Sequence, residues 1–109
     1  MARESLGEFE QLVMLAILRL GEDVYGVPVV EEIERRTGRG VSRAAVYIAL
    51  RRLENKGLVS SHMADPTPER GGRAKRFFRV EPDGIDLLRD SRLALLSMWQ
   101  DLEPVLGGR

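Results

Sequence analysis

Residues 42–57 read SRAAVYIALRRLENKG, and this stretch decides the fold. Ser42 is of the type favoured at a helix N-cap, where its side-chain oxygen accepts a backbone N–H. Gly57 is of the type that ends a helix in a left-handed conformation. Between them, three apolar residues recur at the spacing of one buried helix face: Val46, Leu50 and Leu53. The stretch therefore predicts a helix whose remaining surface is polar and basic.

A first helix is predicted upstream, over residues 7–20. One of its faces shows apolar residues at helical spacing, namely Phe9, Leu12, Val13, Ala16 and Leu20. Most of the other face is apolar as well, with Met14, Leu15, Ile17 and Leu18. A helix that is apolar nearly all round has to be covered on both sides, and we expect its own domain to cover only one.

A second helix is predicted over residues 25–37, with Pro28 in its first turn, where a missing N–H costs little. We expect Val30 and Ile33 to point inward. The charged residues of this helix are expected to be solvated: Glu31, Glu32, Glu34, Arg35 and Arg36. In the link that follows, Val41 is expected to pair with a later strand.

A β-hairpin is predicted after the central helix. Residues 58–63 and 73–80 read as its strands, and the two prolines and paired glycines of residues 65–72 favour a loop between them. Phe77 and Phe78 alternate across the second strand. We therefore expect one of these rings in the core and the other at the base of the hairpin.

A last helix is predicted from Pro82 to about residue 102. Along it, residues repeat every seven positions in two interleaved series, Ile85, Arg92, Trp99 and Leu106, and Leu88, Leu95 and Leu102. Such a heptad pattern is typical of a seam between helices. The seam is longer than the rest of the domain can cover, which predicts a homodimer held by Ile85, Leu88, Leu95, Trp99 and Leu102. A helix that folds back on its own domain is the alternative.

The order of helix, helix, helix, strand, basic loop, strand and helix is the plan of a winged helix-turn-helix, whose third helix enters the DNA major groove. The fold class is therefore predicted as mainly α with a small β-hairpin wing. We expect residues 1–80 to form the DNA-binding domain and residues 81–109 to form a C-terminal dimerisation helix.

The net charge of the chain is zero, but the charges are strongly segregated. Residues 35–79 hold twelve basic and three acidic side chains, whereas residues 1–34 hold two basic and eight acidic ones. Residues 80–109 are acidic overall as well. Segregation of this kind builds a positive face on a neutral protein and favours duplex DNA as the partner.

The start of the central helix is predicted to contact DNA through Ser42, Arg43 and Ala44. Free N–H groups at a helix N-terminus favour phosphate, and Arg43 has the reach for a guanine edge. Tyr47 and Arg51, each four residues further along the same stripe, are predicted to contact the DNA backbone. Two alternatives stay open: Arg51 as a solvated residue paired along the helix with Glu54, and Tyr47 as a half-buried part of the scaffold.

The hairpin tip is the second predicted contact region. Four basic residues lie within seven positions, which suits phosphate or a narrow minor groove: Arg70, Arg73, Lys75 and Arg76. A solvated loop is the alternative.

An enzyme is not expected. The sequence has no cysteine and one histidine, His62, so that thiolate zinc sites and cysteine nucleophiles are excluded and no metal-ligand spacing is visible. No nucleophile, base and orienting group occur together, and no cofactor is predicted. The longest apolar run, residues 12–18, is too short to span a bilayer. The absence of cysteine and of a visible signal peptide favours the cytoplasm.

Four segments together resemble the PadR family of transcriptional regulators: residues 6–13 (LGEFEQLV), residues 24–26 (VYG), residues 45–59 (AVYIALRRLENKGLV) and residues 71–80 (GGRAKRFFRV). The resemblance covers almost the whole chain, and the single final helix is similar to the compact branch of the family. Two departures are visible. Glu81 stands where the family usually has a threonine cap, and Phe77 and Phe78 stand where it has tyrosines.

The two-fold homodimer predicted from the heptad seam suits a palindromic operator. The resemblance implies a ligand-responsive repressor. It also implies that a planar aromatic effector binds near Trp99, with Met98 and Arg92 as further candidates, although packing between subunits is an alternative role for Trp99. A winged helix used as a protein-interaction module without DNA binding stays open as the alternative function.

Overall fold

The computed structural model of the chain describes residues 6–64 and 75–106. Seven elements follow one another: α1 (Glu8–Leu20), α2 (Gly26–Thr37), α3 (Arg43–Asn55), β1 (Val59–Met63), β2 (Arg76–Val80), α4 (Pro82–Trp99) and α5 (Glu103–Leu106). The predicted fold, mainly α with a small hairpin, is confirmed. None of the helices in these two ranges combines the length and the hydrophobicity that crossing a bilayer requires.

Helix α1 lies at the centre of the domain, where α2, α3 and β2 all contact it. The expectation that one face of α1 needs an outside partner is wrong in part, because Met14 and Ile17 on that face are buried within the domain itself. Three neighbouring elements cover more than one side of the helix. Only Leu15 and Leu18 remain as large exposed apolar residues of α1, at 43% and 44% exposure.

Helix α2 buries a carboxylate. Val30 and Ile33 point inward as predicted, but the prediction that Glu32 is solvated is wrong, since this residue is only 9% exposed. Arg35 Nη2 lies 2.7 Å from one of its oxygens and Arg36 Nε lies 2.9 Å from the other. Hydrogen bonding to Arg35, and then to Arg36, holds the pKa of Glu32 below its usual value although burial opposes this. The two arginines neutralise the carboxylate of Glu32 from within about one turn of the same helix, which offsets the cost of burying its charge.

The hairpin pairs β1 with β2 in antiparallel register, with Val59 opposite Val80 and Met63 opposite Arg76. A third segment joins this sheet at Val24, whose carbonyl accepts the N–H of Phe78 at 2.7 Å. The expectation that Val41 pairs with a strand is therefore wrong. Its N–H donates instead to Glu34 Oε2 at 3.0 Å, which ties the link to α2.

The two phenylalanines of β2 divide as predicted. Phe78 belongs to the main hydrophobic core. Phe77 packs at the base of the hairpin, where its ring lies edge-on to Tyr25 at 6.4 Å and to His62 at 5.8 Å. The two rings therefore serve different parts of the domain, Phe78 the core and Phe77 the base of the hairpin.

Helix α4 rests on the domain through its first turns, where Gly84 and Leu88 are buried. A Cβ added at Gly84 would lie 2.4 Å from the carbonyl oxygen of Leu58, so that only glycine allows this close approach. The carboxylate of Glu81 does not cap the helix but accepts hydrogen bonds from Ser60 and Arg79, which lower its pKa.

The prediction that this helix reaches residue 102 is wrong, because α4 ends at Trp99. Pro104 explains the end: inside a continuous helix its ring would clash with the carbonyl of Gln100 and remove a hydrogen bond. The chain turns through Asp101, at φ 65°, and Pro104 then lies in the first turn of α5, where proline is tolerated. Leu102 therefore lies beyond the end of α4.

Candidate nucleic-acid interface

Helix α3 is held with one face in the core. Ser42 caps it as predicted, with its Oγ accepting the N–H of Ala45 at 3.0 Å. The predicted inward residues Val46, Leu50 and Leu53 are at most 1% exposed, which fixes the rotation of the helix. The opposite face is consequently outward, and its residues are exposed: Arg43, Ala44, Tyr47, Ile48, Arg51 and Arg52.

Within the described parts of the chain, the guanidinium groups of Arg43, Arg51 and Arg52 have no acidic partner. The acid considered as a partner for Arg51, Glu54, accepts instead a hydrogen bond from Ser61. Elsewhere acids neutralise the nearby bases, as Glu8 does for Arg39 at 2.9 Å. The outward face of α3 therefore presents positive charge that nothing in the described protein neutralises.

A chain of hydrogen bonds joins the hairpin to α3. Arg76 Nη1 on β2 lies 2.8 Å from Ser61 Oγ on β1, and that hydroxyl donates to Glu54 Oε2 on α3 at 2.6 Å. The ammonium group of Lys75 lies 3.7 Å from the centre of the Tyr25 ring, a cation–π contact. The two described basic residues of the wing are thus held by neighbouring elements. Arg70 and Arg73 lie outside the described residues.

A groove of about 440 Å³ separates α3 from the hairpin. It brings together three of the predicted contact residues: Tyr47, Arg51 and Arg76. Ser42, Arg43 and Ala44 lie outside the groove, at the exposed start of the same helix. Arg51 on α3 and Arg76 on β2 bring two cations to this groove, which the carboxylate of Glu54 lines as well. Cations so placed suit contact with an anionic backbone.

Tyr47 is partly packed into the scaffold and partly open to solvent. It is 44% exposed, yet its ring lies against Gly26, where an added Cβ would come within 2.4 Å of the hydroxyl. Gly26 is a site residue that sequence reasoning missed, as are Ser61 and Glu54 in their linking role. These three residues lie on three different elements of the chain, and helical or strand periodicity does not relate them. The one sequence signal for any of them is the motif of residues 24–26 (VYG), which contains Gly26.

A second surface, the α1–α4 groove, encloses about 530 Å³ between those two helices. Its walls carry four of the five residues predicted for the dimer seam, Ile85, Leu88, Leu95 and Trp99, together with Leu15, Leu18 and Arg92. Met98 is 74% exposed and does not line the groove.

The second half of α4 projects from the domain. Beyond Leu88 its large apolar residues are all about half exposed or more: Leu93, Leu95, Leu96, Met98 and Trp99. The radius of gyration is 16.1 Å. A compact chain of this length has a radius of about 13 Å. The apolar surface of α4 is thus left without a partner inside the described chain.

No group of three or more potential metal-ligating side chains occurs in residues 6–64 and 75–106. His62 lies beside the Phe77 ring on an exposed part of β1, without a second ligand.

Comparison with known proteins gives consistent matches. The sequence model of the PadR-like family of transcriptional regulators matches residues 14–90. Transcriptional regulator Rv3488 of Mycobacterium tuberculosis is 35% identical over 105 residues, which cover 94% of this chain and 91% of the relative.

Solved structures agree with this. The complex structure of hsRosR-S4, from H. salinarum, is 25% identical with a TM-score of 0.67, covering 88% of this chain and 76% of that one. A PadR family transcription regulator from Clostridium difficile R20291 shares the fold, with a TM-score of 0.73 at 19% identity, covering 92% of this chain and 99% of the other.

The Arg76–Ser61–Glu54 chain predicts the effect of Ser61→Ala. The change removes the donor to a half-buried carboxylate and should lower the free energy of unfolding by about 1 kcal/mol, the usual value of such a hydrogen bond. Urea unfolding at neutral pH measures it. Ser61→Thr, which keeps the hydroxyl, is the matched control and should unfold like the parent. If both variants lost the same free energy of unfolding, the hydroxyl group of Ser61 would not be the source of the stabilisation.

Proposed function

This chain belongs to the PadR-like family of transcriptional regulators, and from that premise we propose that it represses transcription by binding a palindromic DNA operator as a homodimer. It is a transcriptional regulator and not an enzyme. The observation that carries the DNA-binding proposal is the outward face of α3, with three arginines that have no acidic partner among the described residues. The cytoplasm, where such an operator is reached, is the proposed location.

In the proposed complex α3 lies in the major groove. Arg43, at the exposed start of the helix, reaches base edges. The free N–H groups of the first turn, together with Ser42, donate hydrogen bonds to a phosphate oxygen. Ala44 allows close approach because its side chain is small. Tyr47 and Arg51 contact the backbone from the wall of the groove beside the hairpin.

The wing supplies affinity that does not depend on sequence. Arg76 is held toward α3 by Ser61, and Lys75 lies over the ring of Tyr25 at the start of α2. Both cations are proposed to reach phosphates of the duplex from these positions. Arg70 and Arg73, nearer the hairpin tip, are proposed to extend these contacts to neighbouring phosphates. Phosphate contacts of this kind position a protein and do not by themselves choose bases.

A second copy of the chain is the proposed occupant of the α1–α4 groove. Leu15 and Leu18 are half exposed on one wall, and Leu95 and Trp99 are half exposed on the other. A two-fold axis through this surface buries both walls at once and places two α3 helices for two half-sites. The proposed dimerisation surface thus extends from residues 81–109 onto α1, while residues 1–80 carry the DNA contacts.

A planar aromatic effector is proposed to bind in the slot that the two copies leave between them at this groove. The groove's volume of about 530 Å³ lies within the usual range for small-molecule sites, and Trp99 and Arg92 both line it. The indole of Trp99 offers a flat apolar face for an aromatic ring. The guanidinium of Arg92 can pair with an acidic group of the effector. Met98, placed outside the groove, is the weakest of the three candidates.

Selection of duplexes from a random pool tests the DNA-binding proposal. The parent chain should recover a two-fold symmetric site in the presence of competitor DNA. Arg43→Ala should lose about 1–3 kcal/mol and recover a site with relaxed choice at one position of each half-site. The matched control, Lys75→Ala with Arg76→Ala, should bind more weakly and still recover the parental site. A chain that selects no duplex would favour the protein-interaction module instead.

Sedimentation measures the proposed homodimer. Leu95→Glu puts a charge into the α1–α4 groove and should yield monomer, because an unpaired charge is costly to bury. Met98→Glu adds the same charge to the same helix at a position outside the groove, and should remain dimeric. Dissociation of both variants to an equal extent would place the dimer contact elsewhere on α4.

Trp99 is the only tryptophan of the chain, so its fluorescence reports on the α1–α4 groove. Planar phenolic acids should quench it saturably and weaken DNA binding over the same concentration range. Arg92→Ala should weaken the response to acids more than the response to neutral analogues of the same shape. Quenching that does not saturate, or that leaves DNA affinity unchanged, would leave Trp99 with packing between subunits as its role.

A further inference from the structure

Ile48 stands out on the outward face of α3. It is 56% exposed, in the middle of a helix whose core positions are filled by Val46, Ala49, Leu50 and Leu53. Isoleucine is a poorer helix former than alanine, so its presence does not serve the stability of the helix itself. An exposed branched apolar side chain at this position therefore calls for another physical reason.

The neighbours of Ile48 are cationic or small. Residues three or four positions apart share a helix face, which places Ala44 one turn before Ile48 and Arg51 and Arg52 one turn after it. Neither arginine has an acidic partner in the described chain. Ile48 is thus an apolar point inside the positive surface that is proposed to meet DNA.

Packing inside the protein does not account for this side chain. Ile48 lies at the rim of a groove of about 750 Å³ between α1 and α3, whose walls include Phe9 and Lys56. Lys56 is neutralised there by Glu10 at 3.2 Å. Ile48 lines this groove and is still 56% exposed to solvent, so the protein leaves most of its surface uncovered.

We propose that Ile48, with the methyl group of Ala44 beside it, recognises the 5-methyl group of thymine in the major groove. This inference rests on the DNA-binding function proposed above and names the base that α3 selects. Thymine is the base that presents a methyl group in the major groove, and apolar side chains contact it there.

Discrimination follows from desolvation. Ile48 has no hydrogen-bonding group, so a cytosine or adenine amino group placed against it would lose water without gaining a partner. Arg51 and Arg52 hold the helix to the backbone on either side and keep this contact close. In a two-fold complex the same thymine recurs in both half-sites.

Thymine-to-uracil substitution tests the inference, because it removes the methyl group and leaves base pairing intact. The probe is the duplex selected by the parent chain, with each thymine replaced in turn by deoxyuridine in both half-sites. At one position the parent should lose affinity by about fourfold for each methyl removed, the effect of burying one methylene. Ile48→Ala should bind thymine and uracil duplexes equally at that position.

Two controls separate the outcomes. Arg51→Ala should bind every duplex more weakly and keep the parental preference for thymine. Ile48→Val, which keeps both γ-carbons and loses only the δ-methyl group, should keep the preference as well. Thermal unfolding checks that Ile48→Ala is folded, as the exposure of this side chain leads us to expect.

The inference is overturned if the parent binds its selected duplex and is indifferent to every uracil substitution. It is also overturned if Ile48→Ala keeps the full thymine preference, because another group would then read the methyl. Failure of the parent to bind any duplex is a different result, which refutes the proposed function itself.

Discussion

Burial of one stripe of α3 is the constraint on which the rest of the structure depends. Val46, Leu50 and Leu53 are almost wholly removed from water, so the helix has one permitted rotation about its axis. What α3 presents outward follows from that rotation, including the exposed Ile48 and the arginines that have no acidic partner among the residues the structure describes. The positive charge of this face is not neutralised by acids such as Glu32 and Glu8, because these pair with bases on other elements of the domain.

A second consequence is that one copy of the chain does not bury all of its apolar surface. Helix α4 is anchored by its first turns, where Gly84 allows it to contact the backbone of the domain directly. Its second half faces α1 across the α1–α4 groove but stays about half exposed among the residues that the structure describes. Pro104 prevents it from continuing as one long helix. Hydrophobic stabilisation is roughly proportional to the apolar area removed from water. The walls of the α1–α4 groove therefore hold apolar area that the described residues leave exposed, and covering it would add stability.

The α3–wing groove shows how tertiary packing turns separate residues into a site. Tyr47 and Arg51 were expected from helical spacing, and Arg76 from the density of basic residues near the hairpin. Their meeting depends on the antiparallel register of the hairpin and on the Arg76–Ser61–Glu54 hydrogen bonds. Gly26 contributes because it has no side chain, since a Cβ at this position would displace the Tyr47 ring.

The sequence by itself determined the order of the elements, the N-cap at Ser42 and the inward stripe of α3, because caps and periodic apolar residues act within one element. Only the tertiary structure decided that Val24 rather than Val41 joins the sheet, that Glu32 is buried, and that α4 stops at Trp99. The reason is physical. Periodicity reports how residues are spaced along one helix or strand, whereas burial and pairing depend on which other elements approach it and at what angle.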